Sequence, residues 1–122
     1  MRAKDGLGQY GERVAAMHLV EDGYELIERN WRCDDGDLQG ELDIVARREG
    51  VLTFVEVKTR SSVAFGEPAE AVGPNKVRKI HELATAWMRL HPTAHSDVSF
   101  DVMSVLHSGK GAAEVTHLRQ AF

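Results

Sequence analysis

The stretch Gly40-Glu41-Leu42-Asp43-Ile44-Val45-Ala46-Arg47, a break at Arg48-Glu49-Gly50, and then Val51-Leu52-Thr53-Phe54-Val55-Glu56-Val57-Lys58 reads as two extended strands folded back on each other. Alternation in the first sets Leu42, Ile44 and Ala46 on one face and Glu41, Asp43 and Val45 on the other. In the second, Leu52, Phe54, Glu56 and Lys58 share a face opposite Val51, Thr53, Val55 and Val57. β-Branched and aromatic residues dominate this second segment, which suits a pleated, packed surface.

Upstream of the hairpin, Leu7, Tyr10, Val14 and Met17 recur at helical spacing and predict a helix from Leu7 to Asp22, with Gly23 as its C-terminal cap. Tyr24 to Arg32 predicts a strand. The run Cys33-Asp34-Asp35-Gly36-Asp37 predicts a solvated loop, because turn-forming residues crowd together there. Downstream, a loop containing Gly66 and Pro68 leads to Pro74, which suits the first turn of a long helix ending near His91-Pro92. Val77, Ile80, Ala84 and Trp87 form the apolar stripe of that helix. Val98, Phe100 and Val102 mark a strand, and Gly109-Lys110-Gly111 turns into a last short strand around Val115. The order helix, three strands, helix, two strands predicts an α/β domain of two or three layers. A doubly wound sheet is excluded, since short hairpins join the first strands.

The chain of 122 residues suits one compact domain spanning 1–122, with 43% hydrophobic and 28% charged residues. A domain of this size buries roughly two thirds of its unfolded surface, so its core requires neither metal nor disulfide. Cys33 is the only cysteine, which excludes an internal disulfide and favours a reducing, cytoplasmic setting. Asp34, Asp35 and Asp37 beside it disfavour a thiolate. No signal-like apolar run follows Met1, and the longest apolar runs are too short to span a bilayer. The net charge of −4 argues against a protein whose whole surface coats nucleic acid. Charge is uneven, however: residues 1–28 hold three basic and six acidic side chains, whereas 61–96 hold four basic and three acidic. The second half is where a polyanion is tolerated.

Asp43, Glu56 and Lys58 form the pattern Asp-x12-Glu-x-Lys across the hairpin. Glu56 and Lys58 point to one face about 7 Å apart on an extended chain, and Asp43 on the partner strand reaches the same point if the register allows. Converging carboxylates repel unless a cation lies between them or one is protonated. Their hard oxygens suit Mg²⁺ or Mn²⁺, which keep coordination positions for water and phosphate. A neighbouring lysine can orient the attacking water and balance phosphate charge, as metal-assisted phosphodiester hydrolysis requires. By spacing alone, a solvated hairpin face with Glu–Lys neighbours is the stronger reading. Phe54, Val55 and Val57 shift the balance, because they mark an interior strand where charge is costly.

Four segments occurring in order, Gly8-Gln-Tyr-Gly-Glu-Arg-Val-Ala15, Gly23-Tyr-Glu-Leu-Ile-Glu-Arg-Asn-Trp-Arg32, Gly40-Glu-Leu-Asp-Ile-Val45 and Phe54-Val-Glu-Val-Lys-Thr-Arg60, closely resemble the bacterial YraN-like family. The resemblance runs from about Gly8 to Phe122. It implies a restriction-endonuclease-like PD-(D/E)XK core, a mixed sheet flanked by helices, similar to archaeal Holliday-junction resolvases. It further implies that Asp43 and Glu56 are metal-ligand carboxylates, that the Val57 carbonyl is an extra ligand, and that Lys58 is the catalytic lysine. Glu12 matches an acidic residue that resolvase-like members place near the metal, and an exposed helix position is its competing reading. Leu42 stands where the superfamily name has proline, and Ser99 where the family commonly has arginine before Phe100-Asp101. Resolvase-like members are commonly dimers, so a homodimer is implied as well.

The expected function is therefore Mg- or Mn-dependent hydrolysis of DNA, branched or recombination DNA included, with DNA ahead of RNA as partner and no membrane. The alternative is a non-catalytic nucleic-acid-binding or protein-interaction module on the same fold, and a third reading is a remnant whose carboxylates no longer converge. Arg60, Lys76, Arg78 and Lys79 are candidate polyanion contacts, ahead of Arg29, Arg32 and Arg47. Lys76 and Lys79 share a helix face. Trp87 lies on the apolar stripe and reads as core, while Trp31 is open to base stacking. Gly6-x-Gly8-x-x-Gly11 has no strand before it and is no dinucleotide fingerprint; its small residues suit close helix packing. His91 and His95 flank Pro92 and lack a third ligand, which argues against zinc.

Overall fold

A computed structural model describes residues 6–61, 73–109 and 111–122. The elements are α1 (Gly6–Glu21), β1 (Glu25–Asp35), β2 (Leu38–Arg48), β3 (Val51–Arg60), α2 (Pro74–Leu90), β4 (Asp97–Leu106) and β5 (Glu114–Leu118). The strands form one sheet in the order β1-β2-β3-β4-β5. Neighbours are antiparallel except β3 and β4, which run parallel because α2 carries the chain back across one face. The loop expected around Gly66 and Pro68 lies outside the described residues.

Two hairpin turns set the registers of the first three strands. Glu49 and Gly50 both adopt left-handed conformations, φ 52 and 79, and close a two-residue turn between Arg48 and Val51. The β1–β2 turn is equally short. β1 continues through Cys33, Asp34 and Asp35, which corrects the expected solvated loop at Cys33–Asp37; only Gly36 and Asp37 separate the paired residues Asp35 and Leu38. A single left-handed glycine, Gly36, suffices for the reversal.

Each sheet face carries one helix, giving three layers. On one face Ala15, Ala16 and Leu19 of α1 pack with Ile44, Ala46, Val55, Met103 and Val105. On the other, Ile80, Leu83, Ala84 and Trp87 of α2 pack with Leu42, Val45, Leu52 and Phe54. The α1 stripe differs from the expected one. Met17 and Leu7 are exposed, and the buried line is Gly11, Glu12, Ala15, Ala16 and Leu19. Small residues win this face because α1 lies directly on β3: a Cβ on Gly11 would fall 1.8 Å from the Thr59 hydroxyl oxygen. Gly23, φ 89, ends α1 as expected, and the Tyr24 N–H returns to the Leu19 carbonyl. Pro74 stands in the first turn of α2, and Trp87 is fully buried with its indole N–H donated to Glu28. No helix among the described residues is long and apolar enough to cross a membrane.

Candidate functional site

The ladder between β2 and β3 runs from Arg48↔Val51 to Ile44↔Val55 and stops. β3 stays paired with β4 as far as Arg60↔Leu106, and β2 pairs with β1 out to the turn. The two central strands thus separate beyond Val55, and the first side chains past the split are Asp43 on β2 and Glu56 on β3. The alternation of β2 also slips here. Leu42 packs on the α2 face with Val45, whereas Ile44 and Ala46 pack on the α1 face; strict alternation expects Leu42 beside Ile44. Asn30, opposite Asp43 between the Arg29↔Ile44 and Trp31↔Leu42 pairs, has φ 54, a conformation asparagine tolerates.

Past the end of the ladder the Val57 N–H donates to Asp43 Oδ2 at 2.9 Å. Asp43 and Glu56 are 8% and 9% exposed, and their carboxyl groups are in hydrogen-bonding reach of each other. Burial first, and then the Asp43 charge beside it, push the Glu56 carboxyl up from 4.5 to about 7 against the downward pull of Lys76 and Lys58. Lys76 Nζ, from the first turns of α2, stands 3.4 Å from Glu56 Oε1. Lys58 is half-buried on β3, two residues beyond Glu56 on the same face. One near-buried cleft therefore holds two carboxyls, one main-chain N–H and two ammonium groups.

The other expected site residues distribute as follows. Glu12 is buried on α1, next to the Gly11–Thr59 contact. Among the described residues, no three His, Cys, Asp or Glu side chains gather as a metal-binding group. Arg60 ends β3, its carbonyl accepting the His107 N–H. Lys79 is half-buried on α2, and Arg78 donates to Asn75. Arg47 is paired with Glu25 at 2.7 Å and donates to the Ala94 carbonyl, at the other end of β2 from the cleft. Trp31 packs against the α2 core and meets the His91 ring edge-on at 6.1 Å. His91 turns to the Trp87 carbonyl and His95 to the Thr93 carbonyl, so the two histidines do not converge.

The sequence matches the uncharacterised protein family UPF0102 over residues 11–105. The chain belongs to that family. A UPF0102 protein of Beutenbergia cavernae is 53% identical over 119 residues, covering 98% of each chain. One from Frankia alni is 49% identical across 100% of this chain and 98% of its own, and one from an Arthrobacter species 47% across 98% of each. The YraN-like resemblance, read from the two hairpin segments and their neighbours, names this same family.

This UPF0102 sheet also holds a buried polar group that motif reading missed. Asp101 of β4 is 1% exposed and accepts hydrogen bonds from the Ser99 hydroxyl, the Gln120 N–H at 3.1 Å and the His117 ring at 2.7 Å. Burial pushes its carboxyl up, yet the bonds from His117, Ser99 and Gln120 outweigh that and hold it below the usual range. The available signal was Ser99 and Asp101 on one face of a largely apolar strand. Ser99 pairs with Thr53, three residues before Glu56 and about 10 Å along β3. Ser99, where the resemblance implies arginine, thus belongs to the Asp101 group, away from Asp43 and Glu56.

Proposed function

We propose that this chain is a divalent-metal-dependent nuclease of the restriction-endonuclease-like PD-(D/E)XK class that hydrolyses DNA phosphodiester bonds, branched DNA among them. The observation that carries the reading is the convergence of Asp43 and Glu56 where β2 leaves β3, with Lys58 beside them. Two buried carboxyls in mutual reach are stable only with a shared proton or a cation between them. The donor set fits Mg²⁺ or Mn²⁺. Asp43, Glu56 and the Val57 carbonyl would hold the ion, and the small number of side-chain ligands leaves positions for water and phosphate. When bound, the metal supplies Lewis acidity toward the scissile phosphate.

The chain's own groups supply the rest. Lys58 holds the attacking water and balances the charge that grows on the phosphate as the water oxygen bonds to phosphorus and the leaving oxygen departs. Burial of the carboxyls strengthens these interactions relative to water. Lys76, Lys79 and Arg60 face the approaching backbone as positioning cations. The element order and the parallel β3–β4 pair joined through α2 support the fold assignment, and a homodimer follows from the resolvase likeness.

The test is purified protein incubated with branched, single-stranded and duplex DNA in Mn²⁺. Cleavage is expected for the native protein and is expected to fall at least a hundredfold in Asp43→Ala and Lys58→Ala, the scale of losing one preorganised charge at the reacting centre. Equal cleavage by all three proteins would mark a contaminant and contradict the reading. DNA binding without cleavage, unchanged in Asp43→Ala, would instead favour the non-catalytic nucleic-acid-binding module.

A further inference from the structure

The cleft contains a cation of its own. Lys76 Nζ lies 3.4 Å from Glu56 Oε1, the same carboxylate that the nuclease reading assigns to the metal. The two ends of this contact differ in character: the Glu56 side chain is 10% exposed and anchored on a central strand, whereas the Lys76 side chain is 47% exposed at the end of a flexible stem. Lys76 is thus free to withdraw into solvent, and Glu56 is not. An ammonium and a divalent ion cannot both take the inner position on one carboxylate oxygen, since like charges at that separation repel strongly in a site shielded from water. Lys79, one turn further along α2, makes no ion pair within the described residues and offers a matched comparison.

We propose that Lys76 is a built-in competitor for the divalent-cation site, occupying Glu56 until the metal enters and then released to the mouth of the cleft. This rests on the nuclease reading of Asp43 and Glu56 and adds to it a mutually exclusive exchange between α2 and the metal. The exchange makes metal affinity depend on a residue that is not a ligand. It also frees a positive charge beside the phosphodiester only when the metal is in place, so that loading and backbone contact are coupled reciprocally.

The experiment is titration of the intact protein with Mn²⁺ alone, followed by electron paramagnetic resonance of the free ion at low salt. Lys76→Ala is expected to bind Mn²⁺ about fivefold more tightly than the native protein, the scale of a half-exposed ion pair. Lys76→Arg is expected to restore weaker binding because it restores the competing charge, and Lys79→Ala to change affinity less than Lys76→Ala. Native-like circular dichroism of each variant establishes that the fold is retained. Unchanged or weaker Mn²⁺ binding in Lys76→Ala, with binding still lost in Asp43→Ala, overturns the competitor role and leaves the nuclease reading standing. No saturable Mn²⁺ binding in the native protein or any variant overturns both. Equal tightening in Lys76→Ala and Lys79→Ala reduces the effect to general charge and also overturns the exchange.

Discussion

Two buried carboxyl sites share the central strands, and they are built in opposite ways. Around Asp101 the protein supplies every partner: a hydroxyl, a main-chain N–H and an imidazole all converge on one carboxylate. Around Asp43 and Glu56 two carboxyls crowd together, met by the Val57 N–H and the Lys76 ammonium. Burial first, and the Asp43 charge second, push the Glu56 carboxyl up to about 7. The first arrangement closes the end of β4 against the chain's last residues. The second sets two like charges side by side in the interior, an arrangement that a shared proton, the neighbouring ammonium groups or an added cation eases. The two sites differ in what surrounds the buried charge, hydrogen-bond donors at Asp101 and a second carboxyl at Glu56.

The sharpest way to break this contrast is Asp101→Ala. Removing the acceptor deprives the His117 ring, the Ser99 hydroxyl and the Gln120 N–H of their shared partner, and a loss of about 3–5 kcal/mol is expected in denaturant unfolding. Ser99→Ala removes one donor only and is expected to cost about 1–2 kcal/mol, with no change in Mn²⁺ affinity. A loss below about 1 kcal/mol for Asp101→Ala would mean that this group is not the closed structural unit described.

Glu56→Gln probes the other side and carries the opposite sign. A carboxyl raised from 4.5 to about 7 binds its proton more readily in the folded chain. Native stability therefore falls as pH rises through that window and the penalty is complete above it. Glutamine carries no charge to bury, so the variant is expected to be more stable than the native protein by on the order of 3 kcal/mol at pH 8, with the gain vanishing toward pH 4.5. Asp101 behaves in reverse: its lowered carboxyl stabilises the fold above the ordinary 3.8 and loses that contribution as pH falls through its folded value. A Glu56→Gln difference that is flat with pH would contradict the crowded-carboxyl picture.

Most of the architecture is legible in the residues because hydrophobic period and turn chemistry agree. Gly23, Glu49-Gly50 and Pro74 mark boundaries that the structure keeps, and the two faces of β3 are those that strict alternation assigns. The misreadings have local causes. Cys33 to Asp35 look like loop because turn-forming residues crowd together there, yet they lie on the edge strand of the sheet, where Cys33 is buried in the α2-side core and Asp34 and Asp35 stay exposed. Met17 looks like core by spacing, yet the face of α1 that lies on the sheet is the line of Gly11, Ala15, Ala16 and Leu19, with Gly11 in direct contact with Thr59 of β3. At the site, the Asp-x12-Glu-x-Lys spacing is enough to name Asp43, Glu56 and Lys58. It does not reveal the slip at Asp43, the left-handed Asn30 or the reach of Lys76 across from α2. Each of these depends on where strands part and how a helix overlies them, which are long-range facts with no local signature.

The central claim is that the Asp43–Glu56 cleft takes a divalent cation in place of a proton. Its most direct test is the Mn²⁺ affinity of the native protein between pH 5.5 and 8, as chosen around the Glu56 value of about 7. Affinity is expected to climb roughly tenfold per pH unit below that value, as the metal displaces one proton, and to level off above it. Mn²⁺ binding that is absent across the whole range, or present and independent of pH, would contradict the account.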